Sequence, residues 1–173
     1  MRKNRRRKNK KFKVTLSMPR LTNDSYVEKQ LIKATHFFGK ELMSTRMLNT
    51  ISIKLKVRKT TLKDFSGAVV SYCKGSQKQT EYEILLDYNV PTHALIEILA
   101  HEMQHVQQMV TGRLQYRVWK SDRQLHARWE GKEVGTVNSI PYRQRPWEVE
   151  AYSTQTPLFK KYEEHTLKTR GFF

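Results

Sequence analysis

The sequence predicts an α+β domain in which a small, mostly antiparallel sheet packs on a helix. Residues 92–111 repeat apolar side chains at steps of three and four residues, which is typical of an amphipathic helix. Residues 51–57 alternate apolar with polar side chains, which is typical of a strand covered on one face. Segments 67–73 and 80–88 have the composition of two more strands, with a turn at 74–76 between them. A chain of 173 residues is long enough for one such domain with a real core.

The amino-terminal 13 residues are strongly basic. They carry nine basic side chains and no acidic one, so the rest of the chain keeps +8 of the formal net charge of +17. A run of like charge cannot bury itself and stays disordered, and its natural partner is a polyanion. We therefore predict a disordered arm over 1–13 and a single domain over 14–173. Residues 2–13 could bind DNA or RNA through contacts with phosphate groups, without reading the bases. The alternatives with the same composition are a solubilising tail, a localisation signal and an anchor for acidic surfaces.

The first element after the arm is predicted to be a helix over 26–42. Asn23, Asp24 or Ser25 can cap its amino end. Its apolar face consists of Val27, Leu31, Ala34, Phe37 and Phe38.

Several sequence features bear on the location of the protein. The chain has no run of 18 apolar residues, and its amino terminus lacks the apolar stretch of a secretory signal. We therefore expect no membrane span and a cytoplasmic location, in the host cytoplasm or the virion if the protein is viral. Cys73 is the single cysteine, so no disulfide can form within the chain, and its strand-like surroundings predict a small buried residue.

The predicted helix over 92–111 carries the segment His101-Glu102-Met103-Gln104-His105. Residues i and i+4 of a helix lie on the same face, so the two imidazoles can reach one ion. A catalytic zinc site uses three protein ligands and leaves the fourth position to water. Glu102 lies about 100° around the helix from His101, where its carboxylate can take a proton from the attacking water. The segment therefore predicts a metal-dependent hydrolase, and nitrogen-rich ligation favours zinc over manganese or cobalt.

Flanking residues support this helix. Pro91 suits a first turn, Thr92 can cap it, and Gly112 offers a left-handed stop.

The third metal ligand must come from another part of the chain. Segment 122–133 is rich in charge and turn residues and is expected to form a loop or hairpin, while 163–165 belongs to a mixed-charge tail helix. The other histidines have no partner at metal spacing and are expected at the surface or in caps; these are His36, His93, His126 and His165. We expect Trp119, Trp129 and Trp147 to pack between the hairpin and the two helices.

A second helix is expected to begin at Pro146 and to run to about Tyr162, interrupted or ended near Pro157. It carries Glu148 and Glu150, the remaining candidate ligands. Residues two apart on a helix point to opposite sides, so only one of these carboxylates can face the ion.

The segment His101 to His105, followed by Glu148-x-x-Ala151 on a second helix, resembles the gluzincin group of the zincin superfamily of HExxH metallopeptidases. Residues 101–152 are also similar to small uncharacterised zincin-like proteins of phage genomes. This resemblance covers less than a third of the chain. It implies that Glu148 joins His101 and His105 in binding zinc; Glu150 stays the alternative that the helix geometry allows. Gluzincins place Asp or Asn directly after the alanine to orient a histidine ligand, whereas this chain has Tyr152.

The resemblance also implies a minimal zincin-like fold and a zinc-dependent metallopeptidase, in which Glu102 is the general base and water attacks a peptide carbonyl. An edge strand beside the metal helix can pair with an extended peptide, and 81–86 is the candidate edge. Tyr142 could donate a hydrogen bond to the oxyanion, although a packed tyrosine of the core or hairpin is the commoner case. The alternative is a nucleic-acid-binding or virion-associated protein whose zinc site is structural or inactive.

Overall fold

The computed structural model describes residues 11–18, 25–59, 67–71 and 80–169, and within these ranges helices and two sheets form an α+β fold, as predicted. The larger sheet has the spatial order β1-β2-β4-β3 among the described strands, with β1 at Lys13–Ser17, β2 at Ser52–Arg58, β3 at Gly67–Ser71 and β4 at Glu81–Asp87. The helices are α1 at Ser25–Leu42, α2 at Thr45–Leu48, α3 at Thr92–Val110 and α4 at Pro146–Thr169. A smaller sheet contains β5 at Leu114–Val118, β6 at Leu125–Trp129 and β7 at Lys132–Thr136.

Strand direction in the larger sheet differs from the prediction. β1 pairs with β2 in parallel and β2 with β4 in parallel, whereas β3 and β4 are antiparallel. The prediction of a mostly antiparallel sheet is therefore wrong for the described part of the sheet that packs on α3. The helix α1 lies between β1 and β2 and returns the chain to the same end of the sheet. Alternation of side chains is the same in both strand directions, so the sequence pattern did not reveal this arrangement.

One face of the larger sheet is covered by α1 and α3. The strand register places the apolar side chains of β2 beside those of β4 on this face, namely Ile53, Leu55 and Val57 beside Tyr82, Ile84 and Leu86. On the opposite face Lys56 pairs with Glu83, with 2.7 Å between Nζ and Oε1. The prediction that the second strand is covered on one side is confirmed.

The smaller sheet follows α3 and has its own apolar cluster around Trp147. The hairpin β6–β7 confirms the prediction of a loop or hairpin over 122–133. Trp147 is fully buried, and its ring lies 6.4 Å from that of Trp129. Trp119 is 40% exposed, and its ring stacks on that of His126 with 4.0 Å between ring centroids. The prediction that Trp119 packs between the hairpin and the helices is therefore wrong.

The last helix runs through Pro157 without ending there, which contradicts the predicted interruption. A proline inside a helix removes one hydrogen bond and costs about 3 kcal/mol. Leu158 and Tyr162 follow the proline and are buried in the main core, and their packing offsets this cost.

Order at the amino terminus extends further than predicted. β1 begins at Lys13, inside the range assigned to the disordered arm, and Phe12 donates its N–H to Asn49 at 3.2 Å. Residues 1–10 of the arm, the proposed caps Asn23 and Asp24, the turn at 74–76 and Cys73 lie outside the described residues. None of the helices within the described ranges is long and apolar enough to cross a membrane.

Candidate metal centre

The helix α3 carries the two histidines of the predicted site, and its bounds confirm the predicted helix over 92–111. Pro91 occupies the N-cap position without a side-chain cap, so Thr92 is the first helical residue and does not cap. Gly112 follows the helix with a φ of +76°, the left-handed conformation that stops a helix and that glycine adopts without strain.

The helix α4 packs against α3 and brings Glu148, in its first turn, opposite the two histidines. The Nε2 atoms of His101 and His105 lie 3.1 Å apart. The Oε2 atom of Glu148 lies 3.2 Å from each of them. All three side chains are buried. The predicted ligands His101, His105 and Glu148 are therefore brought together, with one donor atom each facing the same point.

This donor set fits a zinc ion. With metal–ligand distances of about 2.0–2.1 Å, ligands at the corners of a tetrahedron are separated by about 3.3 Å, close to the three separations seen here. Two neutral imidazoles and one carboxylate are the donor types of catalytic zinc sites. Burial raises the pKa of Glu148, but the contacts of its carboxylate with the imidazoles of His101 and His105 outweigh burial and lower the pKa to about 2, so that the carboxylate is available as a ligand at neutral pH.

The structure separates Glu148 from its alternative. Glu150 accepts a hydrogen bond from Arg113 at 2.8 Å and one from Gln108 at 2.9 Å. Its carboxylate is therefore directed at these groups, and it does not belong to the three-donor cluster. The angular step between the two glutamates on α4 is about 200°, which puts them on opposite sides of the helix.

Glu102 lies beside the cluster without contributing a donor atom to it. Its side chain is directed at β3, where the backbone N–H of Val69 donates a hydrogen bond to the carboxylate. Burial is the largest influence on its pKa and raises it, against the opposing effect of His105 and His101. A carboxylate with a raised pKa, next to the metal donors and not among them, is suited to accept a proton.

The edge strand next to Glu102 is β3, not the predicted segment 81–86. β4 contains that segment and is paired on both sides, with β2 and with β3. Among the described strands β3 pairs only with β4, and β3 packs against α3. The approach is close: a Cβ atom added to Gly67 would lie 2.6 Å from Cγ2 of Ile98 and 2.9 Å from Oε1 of Glu102. Glycine is needed here for space.

Two tyrosines border the cluster on the side of α4. The ring of Tyr152 packs against that of His101, with 4.6 Å between ring centroids. Tyr142 lies on a short 3-10 helix, Tyr142–Gln144, and is 48% exposed, so it is not a core residue. Burial of its hydroxyl, followed by the nearby carboxylate of Glu148, raises the pKa of Tyr142, and the phenol remains a hydrogen-bond donor at neutral pH.

Sequence reasoning did not identify Gln108, which is fully buried and contacts the second histidine. Its Oε1 atom lies 2.9 Å from Nδ1 of His105. The only signal in the sequence was its position three residues after His105, one turn along the same helix face. The residue that occupies the expected orienting position, Tyr152, supplies a ring contact instead. Within the described part of the chain, Nδ1 of His101 is buried and has no hydrogen-bond partner.

The other histidines that the structure describes lie elsewhere. His126 is buried, contrary to the prediction of a surface or capping residue, and its Nε2 lies 2.7 Å from Oδ2 of Asp122. The backbone N–H of Gln124 and then this histidine lower the pKa of Asp122. His36 and His165 make ring contacts with Phe12 and Phe37. None of them belongs to a metal-compatible cluster among the described residues.

Comparison of the chain with protein-family models, curated proteins and solved structures finds no match.

Proposed function

We propose that this chain is a zinc-dependent metallopeptidase, with His101, His105 and Glu148 as zinc ligands and Glu102 as general base. The observation that supports it most is the arrangement of four buried side chains: three donor atoms within 3.2 Å of one another, and a carboxylate beside them that is not a donor. A purely structural zinc site is normally closed by four protein ligands. The present cluster has three among the described residues, which favours a catalytic site.

The proposed reaction follows from the positions of these groups. Zinc, when bound, supplies Lewis acidity that polarises a carbonyl and makes water a better nucleophile at neutral pH. Glu102 accepts a proton from the attacking water as its oxygen bonds to the carbonyl carbon of the peptide. The same carboxyl group then delivers the proton to the departing amine nitrogen as the C–N bond breaks. We propose that Tyr142, whose hydroxyl lies near the carboxylate of Glu148, donates a hydrogen bond to the oxygen of the attacked carbonyl.

The strand β3 suits the binding of an extended peptide. β3 lies next to Glu102, so a peptide paired with the edge of β3 opposite β4 would pass close to the proposed general base. Backbone pairing of this kind gives affinity with little selectivity for side chains. We therefore propose unfolded or extended protein segments as the substrates.

The test combines metal analysis with one substitution. Protein purified without chelator is expected to contain one zinc per chain, and to cleave a fluorescently labelled unfolded protein until a chelator is added. Glu102→Gln is expected to retain zinc and to lower kcat by about 10²–10⁴-fold, because the proton acceptor is lost. Glu163→Gln, an exposed glutamate of α4, is the matched control and should behave as the unmodified protein. Zinc well below one per chain, or full turnover by Glu102→Gln, would contradict the proposal.

The net charge of +17 favours a second candidate, a nucleic-acid-binding or virion-associated protein in which the zinc site is structural or inactive. Such a protein would bind DNA or RNA of any sequence through residues 2–13, with an affinity that falls steeply as salt increases. Its binding should not change in Glu102→Gln. Truncation of residues 2–10, which leaves Phe12 and β1 in place, should weaken nucleic-acid binding without changing peptide cleavage. The two candidate functions can therefore be tested separately, and one chain could have both.

A further inference from the structure

The buried amide of Gln108 links the second histidine to α4. Its Nε2 atom donates to the backbone oxygen of Trp147 at 3.0 Å and to Oε2 of Glu150 at 2.9 Å. Its Oε1 atom lies 2.9 Å from Nδ1 of His105. The side chain is fully buried, so each of its polar atoms has a protein partner in place of water.

These partners determine which way round the amide lies. A reversed amide would direct its oxygen at two other oxygen atoms, those of Trp147 and Glu150, and both contacts would be repulsive. The nitrogen therefore faces α4 and the oxygen faces His105. Because an amide oxygen only accepts, Nδ1 of His105 carries the proton. The lone pair of Nε2 is then free, and it faces His101 and Glu148.

The carboxylate of Glu150 is itself held by an ion pair. Arg113 donates from Nη1 to Oε1 of Glu150 at 2.8 Å and from Nη2 to Oε1 of Glu130 at 2.8 Å. The guanidinium also lies 4.8 Å from the ring centroid of Trp129. These contacts fix Glu150, which in turn fixes the amide.

We infer that Gln108 is a positioning residue of the proposed zinc site: its amide oxygen holds His105 in the tautomer and ring orientation that present Nε2 to the metal. Glu150 and Arg113 hold the amide in the orientation that this requires. This role rests on the proposed zinc site. In the gluzincins the residue at the position of Tyr152 orients a histidine ligand, whereas here Gln108 on α3 would do so. Glu150 then has a role that is not metal ligation.

Two substitutions separate positioning from packing. Gln108→Met keeps nearly the same volume but has no acceptor for Nδ1–H of His105. Gln108→Glu keeps an acceptor but puts a second carboxylate beside Glu150. The matched control is Gln104→Met, a buried glutamine on the same helix whose amide nitrogen donates to Gln107 and not to a proposed ligand. Zinc affinity is measured by competition with a chromophoric chelator, and stability by urea unfolding with excess chelator.

We expect Gln108→Met to weaken zinc binding by about 10–100-fold. Gln108→Glu should bind zinc with an affinity within a few-fold of that of the unmodified protein, although it should be less stable than Gln108→Met. Gln104→Met should leave zinc affinity unchanged. If affinity follows stability across the three variants, the residue only packs and the inference is wrong. Absence of zinc from the unmodified protein would overturn the proposed function itself, which is a different result.

A measurement on the unmodified protein keeps the inference testable if the variants do not fold. Nitrogen-15 NMR of the zinc-loaded protein is expected to show a proton on Nδ1 of His105 and the metal on Nε2. Zinc on Nδ1, or a proton on Nε2, would overturn the inference.

Discussion

Replacement of Gly67 by alanine tests how closely β3 approaches Glu102, the proposed general base. The added methyl group would lie 2.6 Å from Cγ2 of Ile98, about 1 Å inside an ordinary carbon–carbon contact, and 2.9 Å from Oε1 of Glu102. Ile98 is β-branched and has little rotamer freedom on a helix, so β3 and α3 must move apart. Overpacking of this size costs about 1–3 kcal/mol, which for a chain of this length lowers Tm by roughly 2–12 °C.

The same substitution should also reduce turnover. The methyl group displaces the Glu102 carboxylate from the N–H of Val69 and from its position beside the metal donors. We expect kcat to fall at least tenfold with zinc content unchanged, because an error of about 1 Å in a reacting group is costly. Gly39→Ala is the control: a methyl group there meets Leu48 and Phe12, far from the site, so turnover per folded molecule should not change.

A double-mutant cycle shows whether the clash is the cause. Ile98→Ala removes the atom at 2.6 Å, so Gly67→Ala should cost less free energy of unfolding in that background than alone. The contact with Glu102 remains in the double variant, so low turnover should persist. Urea unfolding and steady-state kinetics measure the two effects separately. An equal cost in both backgrounds, or a cost below about 0.5 kcal/mol for Gly67→Ala alone, would refute the reasoning.

Other substitutions test the metal centre and its surroundings. Zinc at 100 times its Kd should raise the free energy of unfolding by about 2.7 kcal/mol above the value in chelator. Glu148→Ala should lose this stabilisation at the same zinc concentration. If calorimetry shows equal stabilisation of both proteins by zinc, Glu148 is not a ligand. Trp147→Ala should cost about 3–5 kcal/mol because the ring is fully buried, whereas Trp119→Ala, at 40% exposure, should cost about 0.5–1.5 kcal/mol; equal costs in urea would contradict the burial. Because the pKa of Glu148 is lowered, ionisation of this carboxyl stabilises the zinc-free protein above a pH of about 4.5, and the stabilisation is lost as pH falls from 4.5 towards 2. In the presence of chelator, the stability of Glu148→Gln should therefore fall less steeply over this pH range. Parallel curves of stability against pH for the two proteins would contradict the lowered pKa.

Part of the site could be predicted because it depends on the geometry of a single helix. The spacing of His101 and His105 puts both imidazoles on one face of any α-helix, and the apolar repeat over 92–111 made that helix predictable. The role proposed for Glu102, as general base, also follows from its position about 100° around the helix from His101. These relations are local, so they need no knowledge of the rest of the fold.

The choice between Glu148 and Glu150 as third ligand depends on contacts between distant parts of the chain. Both lie on α4 and the periodicity of that helix allows either to face α3. Burial of Trp147 in the smaller core sets the rotation of α4, and Arg113 on the other side attracts Glu150. The resemblance to gluzincins favoured Glu148, whereas the residues alone left both open.

The order of the strands in the larger sheet could not be predicted from the sequence either. The composition of 80–88 indicates a strand, but not whether that strand lies inside the sheet or at its edge, because contacts between distant segments decide which strands are neighbours. The edge position of β3, and its contact with Glu102 through Gly67, result from β4 pairing with β2. β1 was missed because it begins within the basic run over 1–13, whose charge dominated the prediction.

The sequence by itself determined the secondary structure that carries the chemistry, since helical and strand periodicities are set by neighbouring residues along the chain. It also determined the types of donor available, two imidazoles and a carboxylate. Only the tertiary structure decided which carboxylate completes the cluster, which strand borders Glu102 and which buried amide holds His105, because each of these depends on how α3, α4 and the sheet pack. Packing joins residues more than 40 positions apart, and no local pattern specifies such contacts.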